Sequence, residues 1–140
     1  MKVLIIGGVA AGATTAARLR RLNKDVEMIV FEKGNYVSYA NCGLPYYVSG
    51  EIQGKDDLLL MTPQLFYDRF QIDVRVASEV TAIHPENKSI SVYNHMTGET
   101  YEENYDQLVI ATGSSPIRLP IPGIAVSYTH LRAHETRRHL

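Results

Sequence analysis

Residues 2–32 read KVLIIGGVAAGATTAARLRRLNKDVEMIVFE, and this stretch decides the fold. Lys2–Ile6 is a short run of branched aliphatics, suited to a strand buried in a parallel sheet. Gly7, Gly8, Val9, Ala10, Ala11 and Gly12 form a tight glycine-rich turn. Ala13 to Leu22 then has helical spacing, and its small Ala13, Ala16 and Ala17 allow close packing on a sheet. Val26–Phe31 is a second strand that ends in Glu32, which completes a βαβ start. A turn with so little side chain lets the backbone approach a pyrophosphate, whose charge is met by free N–H groups at the helix N-terminus. Glu32 lies 20 residues after Gly12, where a carboxylate accepts hydrogen bonds from the hydroxyls of an adenosine ribose. The turn departs from the usual G-x-G-x-x-G, because Val9 stands at the middle glycine. Strand, turn, helix, strand and acid in register point to dinucleotide binding. A helix packed on a sheet through small residues, with no ligand, is the plain alternative. A signal peptide over Met1–Ala17 fits less well: its positive region is one lysine, glycines break its apolar stretch, and no clean Ala-x-Ala site follows.

The 140 residues are enough for one domain and too few for two ordinary ones. At 45% hydrophobic and 21% charged, the composition is that of a soluble globular chain. A formal net charge of -1 gives no reason to expect nucleic acid or an anionic membrane as partner. No apolar run approaches the ~18 residues of a membrane-spanning helix, so the expected location is the cytoplasm. The single cysteine, Cys42, excludes an intrachain disulfide framework and a cysteine-cluster zinc site, and no metal ligands are assigned.

After Glu32 the chain continues KGNYVSYANCGLPYYVSGE over residues 33–51. Pro45 fits the first turn of a helix and Gly50 its stop, which places Cys42 near a helix N-terminus, where the dipole favours thiolate. Free cysteines are commonly buried and structural. Here the neighbours Ser38, Asn41 and Gly43 are polar or turn-forming and a nucleotide-binding unit lies just upstream, so a redox or nucleophilic role is expected. On the first helix Thr14, Arg18 and Arg21 fall at i, i+4 and i+7 and form one stripe. Two guanidiniums on one stripe suit a phosphorylated substrate; a solvated basic face explains them equally well.

Thr62-Pro63 opens a further helix to about Phe70, with Leu65, Phe66 and Phe70 expected to pack on the core. Val74–Val76, Glu79–Ile83, Ser89–Tyr93 and Thr100–Glu103 alternate like strands, with turns at Pro85-Glu86-Asn87 and Thr97-Gly98. That region is expected to be a small antiparallel excursion. Tyr36, Tyr39, Tyr46 and Tyr47 line a pocket or pack half-buried. Gln107–Thr112 reads as another buried parallel strand. His84 and His95, at strand ends or turns, receive no role.

GGVAAGATTA, FEKGNYVSYANCGLPYYVSGE and YDQLVIATGSSP together resemble the flavoprotein pyridine nucleotide-disulfide oxidoreductases, from Met1 to about Ile124. Within that family the chain is similar to the single-cysteine branch, and Asn41-Cys42-Gly43-Leu44-Pro45-Tyr46 most resembles the coenzyme A-disulfide reductases. The oxidases and peroxidases of the branch more often carry Ser-Cys followed by Gly-Met. A two-cysteine site is excluded by the cysteine count. The resemblance implies an α/β fold: a Rossmann-like FAD-binding domain with a parallel sheet, plus the antiparallel excursion. It implies FAD held by Gly7, Gly8, Val9, Ala10, Ala11, Gly12, Glu32, Lys33, Val80, Ala111, Thr112 and Gly113. It implies Cys42 as the catalytic residue, NAD(P)H as electron donor, coenzyme A disulfide or a related small disulfide as substrate, and a homodimer. Thr14, Arg18, Arg21, Ser38 and Asn41 would hold coenzyme A. Phe70 departs from the pattern, since some relatives carry there a lysine that helps hold the substrate phosphates.

Residues 1–124 are thus expected to be the N-terminal part of a FAD-binding domain, truncated before a nicotinamide-binding domain, so that this piece alone is expected to lack turnover. The rest, 125–140, is set apart. From Val126 it reads VSYTHLRAHETRRHL, in which Arg132, Arg137 and Arg138 against Glu135 give +2. A basic arm, a metal tract of His130 and His134, and a frayed terminus are all conceivable. The better match is the read-through of a transposase sequencing adapter, a cloning scar to be kept out of fold reasoning. Three alternatives to a coenzyme A-disulfide reductase stay open: an NADH oxidase or peroxidase working through a cysteine sulfenic acid, a nucleotide-binding module without turnover, and a plain NAD-dependent dehydrogenase domain, which leaves the Cys42 segment unexplained.

Overall fold

A computed structural model describes residues 1–114; the expected scar at 125–140 lies outside the described residues. The strand β1 (Lys2–Ile6) leads through the glycine turn into helix α1 (Ala10–Leu22) and returns as β2 (Glu27–Phe31). The two strands pair in parallel, with Val3 opposite Met28 and Ile5 opposite Val30. After the Cys42 segment, which contains the short helix α2 (Leu44–Val48), come helix α3 (Pro63–Phe70) and strand β3 (Asp73–Arg75). The meander β4 (Ser78–His84), β5 (Ser89–Asn94) and β6 (Thr100–Asn104) precedes the last described strand, β7 (Gln107–Ile110). The parallel sheet has the order β3-β2-β1-β7, and β4-β5-β6 form a separate antiparallel sheet.

The apolar character of β1 and β2 on both faces follows from what covers them. Val3, Ile5, Met28 and Val30 face α1 and α3 and share a core with Ala13, Ala16 and Phe66. Leu4, Ile29 and Phe31, on the opposite face, pack against Ile90 and Val92 of the antiparallel sheet. A strand covered on both sides has no solvent face, so polar residues are excluded from both.

Four expectations are corrected. The segment at Val74–Val76 is not part of the antiparallel excursion: β3 lies beside β2 in parallel, with Val30 opposite Val74. Alternation reports that a strand is half-covered, not which strand covers it. Helix α1 starts at Ala10 rather than Ala13, because Ala10 and Ala11 are strong helix formers and only Gly7 to Val9 are needed for the turn. Leu65 is not a core residue, being 37% exposed, whereas Phe66 is 3% exposed. The parallel strand expected at Gln107–Thr112 stops at Ile110.

Two contacts fix the frame of the site. Arg20 of α1 donates from Nε to the carbonyl of Phe70 (2.7 Å), from Nη1 to Lys24 (2.5 Å) and from Nη2 to Gln71 (2.9 Å), which pins the end of α3 against α1. Glu103 of β6 accepts from Lys2 Nζ (2.5 Å) and from Arg75 Nη1 (2.7 Å), which ties the two sheets together. Burial pulls the Glu103 carboxyl upward, but the hydrogen bonds from Lys2 and Arg75 outweigh it and hold the group below its ordinary 4.5. A lowered carboxylate value adds stability above pH 4.5 that is lost as pH falls through the folded-state value. The stability gap between wild type and Glu103→Gln, read from urea midpoints, should therefore shrink steadily as pH is lowered below 4.5. A gap that does not change with pH would contradict the ion pairing.

Candidate functional site

The glycine turn is compact because glycines occupy its contact points. Gly7 adopts φ +99, its N–H donates to the Phe31 carbonyl (2.8 Å), and a Cβ there would meet the Ala111 backbone. Gly12, in the first turn of α1, lies directly on the Gly7 carbonyl. Val9 supplies no side-chain cap to the 13-residue helix α1, whose first residues Ala10 and Ala11 line the cleft described next. Glu32 closes the other side: Oε2 accepts from the Gly8 N–H and Oε1 from the Gly34 N–H, each at 2.8 Å.

Around this turn lies a cleft of about 380 Å³ lined by Gly7, Val9, Ala10, Ala11, Glu32, Lys33, Ala111, Thr112 and Gly113, together with Gly34, Asn35, Tyr36, Tyr39 and Asn41. Nine of the expected cofactor residues thus face one space. Gly8 and Gly12 are buried beneath it, where they shape the turn. Val80 lines an adjoining recess of about 160 Å³, with Glu32, Lys33, Ser78, Glu79 and Thr112. The spacing of the motif identified the turn and the acid. It did not identify Asn35, Ser78 or Glu79, which reach the site through loop and sheet packing. Of the four tyrosines, Tyr36 and Tyr39 line the cleft; Tyr46 and Tyr47 do not. His95, given no role, sits close by, with Nε2 at 2.8 Å from Glu79 Oε2.

A second cleft, of about 740 Å³, contains Cys42. Thr14, Arg21, Ser38 and Asn41 line it, as expected. Arg18 does not: it lies in a neighbouring groove with Thr14, Thr15, Leu19 and Leu22. Arg18 and Arg21 are about 60° apart around the helix axis, enough for the cleft to end between them. Phe70, where some relatives carry a lysine, also lines it; so do Leu60, Met61 and Arg69, which are not legible in the sequence as site residues. Val9, Ala10, Tyr39 and Asn41 line both clefts, so the two spaces share a wall beside Cys42.

The Cys42 segment is held from two directions. The Ser38 N–H donates to the Gly8 carbonyl (3.0 Å), and the Ser38 carbonyl accepts from Leu60 (3.1 Å). Ser38 is left-handed, at φ 48, a conformation uncommon for serine and here imposed by these two tethers. Buried Val37 anchors the same strap. Cys42 itself is exposed, in a 3-10 turn over Asn41–Gly43 that leads into α2. Cys42 therefore stands just before the N-terminus of the five-residue α2. Among the described residues, no group of three or more metal-ligating side chains and no helix long and apolar enough to cross a membrane is present.

A family model described as pyridine nucleotide-disulphide oxidoreductase matches residues 1–140. A coenzyme A disulfide reductase from Staphylococcus epidermidis is 47% identical over 118 residues, covering 84% of this chain and 27% of that protein. Its counterpart from Staphylococcus aureus is 44% identical over 114 residues, 81% of this chain and 26% of that protein. The chain therefore spans about a quarter of the length of these curated relatives. The crystal structure of reduced Bacillus anthracis CoADR-RHD superimposes with a TM-score of 0.86 at 49% identity, over 89% of this chain and 22% of that one. A NAD-dependent persulfide reductase from A. fulgidus gives 0.84 at 42% identity, over 89% and 23% of the two chains. A water-forming NADH oxidase from Lactobacillus brevis gives 0.83 at 29%, over 91% and 28%.

Proposed function

We propose, on the premise that the chain belongs to the pyridine nucleotide-disulphide oxidoreductase family, that it is the N-terminal part of a FAD-dependent reductase that opens coenzyme A disulfide through Cys42. The observation that carries this reading is the shared wall: the cleft with Cys42 and the cleft around Gly7 to Gly12 meet at Val9, Ala10, Tyr39 and Asn41.

The first cleft fits FAD on its own geometry. The α1 N-terminus, without a side-chain cap, lines it with Ala10 and Ala11, and a Cβ at Gly7 or Gly12 would fill the close approach that a pyrophosphate needs. Glu32 has acceptor capacity beyond its two backbone bonds and would take the ribose hydroxyls, with Lys33 and Val80 beside it. FAD, when bound, supplies the passage of two electrons from NAD(P)H to the disulfide. In the second cleft the Cys42 thiolate attacks one sulfur of the substrate disulfide, the S–S bond breaks, and one coenzyme A thiolate leaves and takes up a proton. Cys42 is left in a mixed disulfide with the other half. Two electrons and a proton then release the second coenzyme A thiol and restore the Cys42 thiolate. Thr14, Arg21, Ser38 and Asn41 hold the substrate along the way.

Two measurements on the full-length protein test this. Coenzyme A disulfide should drive NAD(P)H oxidation with two thiols released per nicotinamide oxidised; oxidation that consumes only oxygen or peroxide would replace the reading by the oxidase one, which the likeness to the L. brevis enzyme makes the second choice. Glu32→Gln should lower bound flavin per protein, because each lost charge-assisted bond is worth ~1.5–3 kcal/mol, or an affinity weaker by about 10- to 150-fold. Full flavin occupancy in that variant removes Glu32 from the ribose site.

A further inference from the structure

Strand β3 is three residues long, at the lower limit of strand length, and pairs with β2 at three positions. Among the described residues it is also an edge of the parallel sheet. Its own ladder gives it little hold, yet the chain that leaves it is wrapped closely around Glu32. The Arg75 carbonyl accepts from the Glu32 N–H (2.9 Å), the Glu32 carbonyl from the Ser78 N–H (3.0 Å), and the Gly34 carbonyl from the Ala77 N–H (2.9 Å). Gly34 in turn donates to Glu32 Oε1 at 2.8 Å. The wrap therefore holds both the backbone of Glu32 and one partner of its carboxylate.

The side chain of Arg75 anchors this wrap to the other sheet. Its Nη1 donates to Glu103 Oε2 (2.7 Å) and to the Tyr101 hydroxyl (3.3 Å), both on β6, and its Nε to Asp73 Oδ2 (2.9 Å). The guanidinium stands 5.5 Å from the centre of the Phe31 ring and 5.8 Å from that of Tyr101. The Glu103 side chain is only 17% exposed, so water and salt screen the pair little. Lys2 takes the other Glu103 oxygen (2.5 Å). It stands at the start of β1, at the opposite end from the glycine turn, and makes no contact with the wrap.

We infer that Arg75 is a positioning residue for the cofactor: anchored on β6, it holds the Arg75–Ser78 segment around Glu32 and so fixes where the Glu32 carboxylate meets the ribose. This rests on the reading that Glu32 takes the ribose hydroxyls of FAD. Dilution of the full-length holoenzyme, with released FAD read by its fluorescence, and urea unfolding of the same preparations test it. Arg75→Met should weaken FAD by about tenfold, the lower end of what the loss of a Glu32 contact costs. Lys2→Met removes an ion pair to the same carboxylate; it should lower the urea midpoint and leave FAD affinity within about twofold. In a Glu32→Gln background, Arg75→Met should weaken FAD by less than about twofold further, because the group it positions is gone. Arg75→Lys keeps the charge toward Glu103 and should recover part of the affinity; it carries the same cycle where Arg75→Met does not fold. Unchanged FAD affinity in Arg75→Met, equal weakening by Lys2→Met, or additive losses with Glu32→Gln would each overturn the positioning role and leave the ribose reading in place. Unchanged affinity in Glu32→Gln alone would overturn both.

Discussion

Cys42→Ser in the full-length protein should lower disulfide reduction on the order of a thousandfold or more, to the uncatalysed background, while flavin stays bound. A serine hydroxyl keeps the size and exposure of the side chain but is not ionised near neutral pH, so there is no anion to attack sulfur. It also cannot be carried through a mixed disulfide, which removes both halves of the exchange. Flavin retention is expected because Cys42 lines the second cleft and is not among the residues lining the first, whose turn and acid are held by backbone contacts of their own. Activity with coenzyme A disulfide and bound flavin are read on the same preparation. Retained turnover would remove Cys42 from the chemistry, and simultaneous loss of flavin would show that its role is structural.

The second large effect is expected at Gly12. A Cβ there would land on the Gly7 carbonyl and stand 3.2 Å from Ile5 Cγ2. The obstacle is backbone in the tightest part of the turn, so it cannot rotate away as a side chain would. Gly12→Ala must push α1 off β1, and overpacking of a close-packed site costs about 1–3 kcal/mol, occasionally more. Against a typical stability of about 5–15 kcal/mol that is a large fraction. The same shift moves the α1 N–H groups away from the pyrophosphate position, so flavin should be lost even where the fold survives. Urea unfolding and flavin content check the two halves separately: the midpoint should fall with little change in slope. A variant as stable and as yellow as wild type would mean that α1 does not sit on the turn as described.

These sites differ in how far the sequence revealed them. Gly7 to Gly12 and Glu32 are legible because their chemistry is local: turn, helix start and acid lie within one βαβ unit. Core residues of β1 and β2 are legible because a strand covered on both faces must be apolar throughout. Strand β3 is not legible as part of the parallel sheet because its partner, β2, is more than forty residues away, with Ile29 opposite Asp73. Arg69, which lines the Cys42 cleft, is hidden for the same reason. It lies beside the Cys42 cleft because α3 packs on the core through Phe66 and Phe70 and its end is held by Arg20, 50 residues back along the chain. Arg18 lines the adjoining groove, which shares Thr14 with the Cys42 cleft, because a helical stripe is wider than the cleft it borders. Cys42 itself is legible through the polar and turn-forming residues around it, in the 3-10 turn that leads into α2.

The central claim is that Cys42 forms a mixed disulfide with its substrate. Incubating the full-length protein with coenzyme A disulfide, then mapping the Cys42 peptide by mass spectrometry under non-reducing conditions, tests it most directly. The account predicts a mass increase of one coenzyme A on Cys42, removed by dithiothreitol and absent in Cys42→Ser. An unmodified Cys42, or one that gains only oxygen on exposure to peroxide, would contradict it.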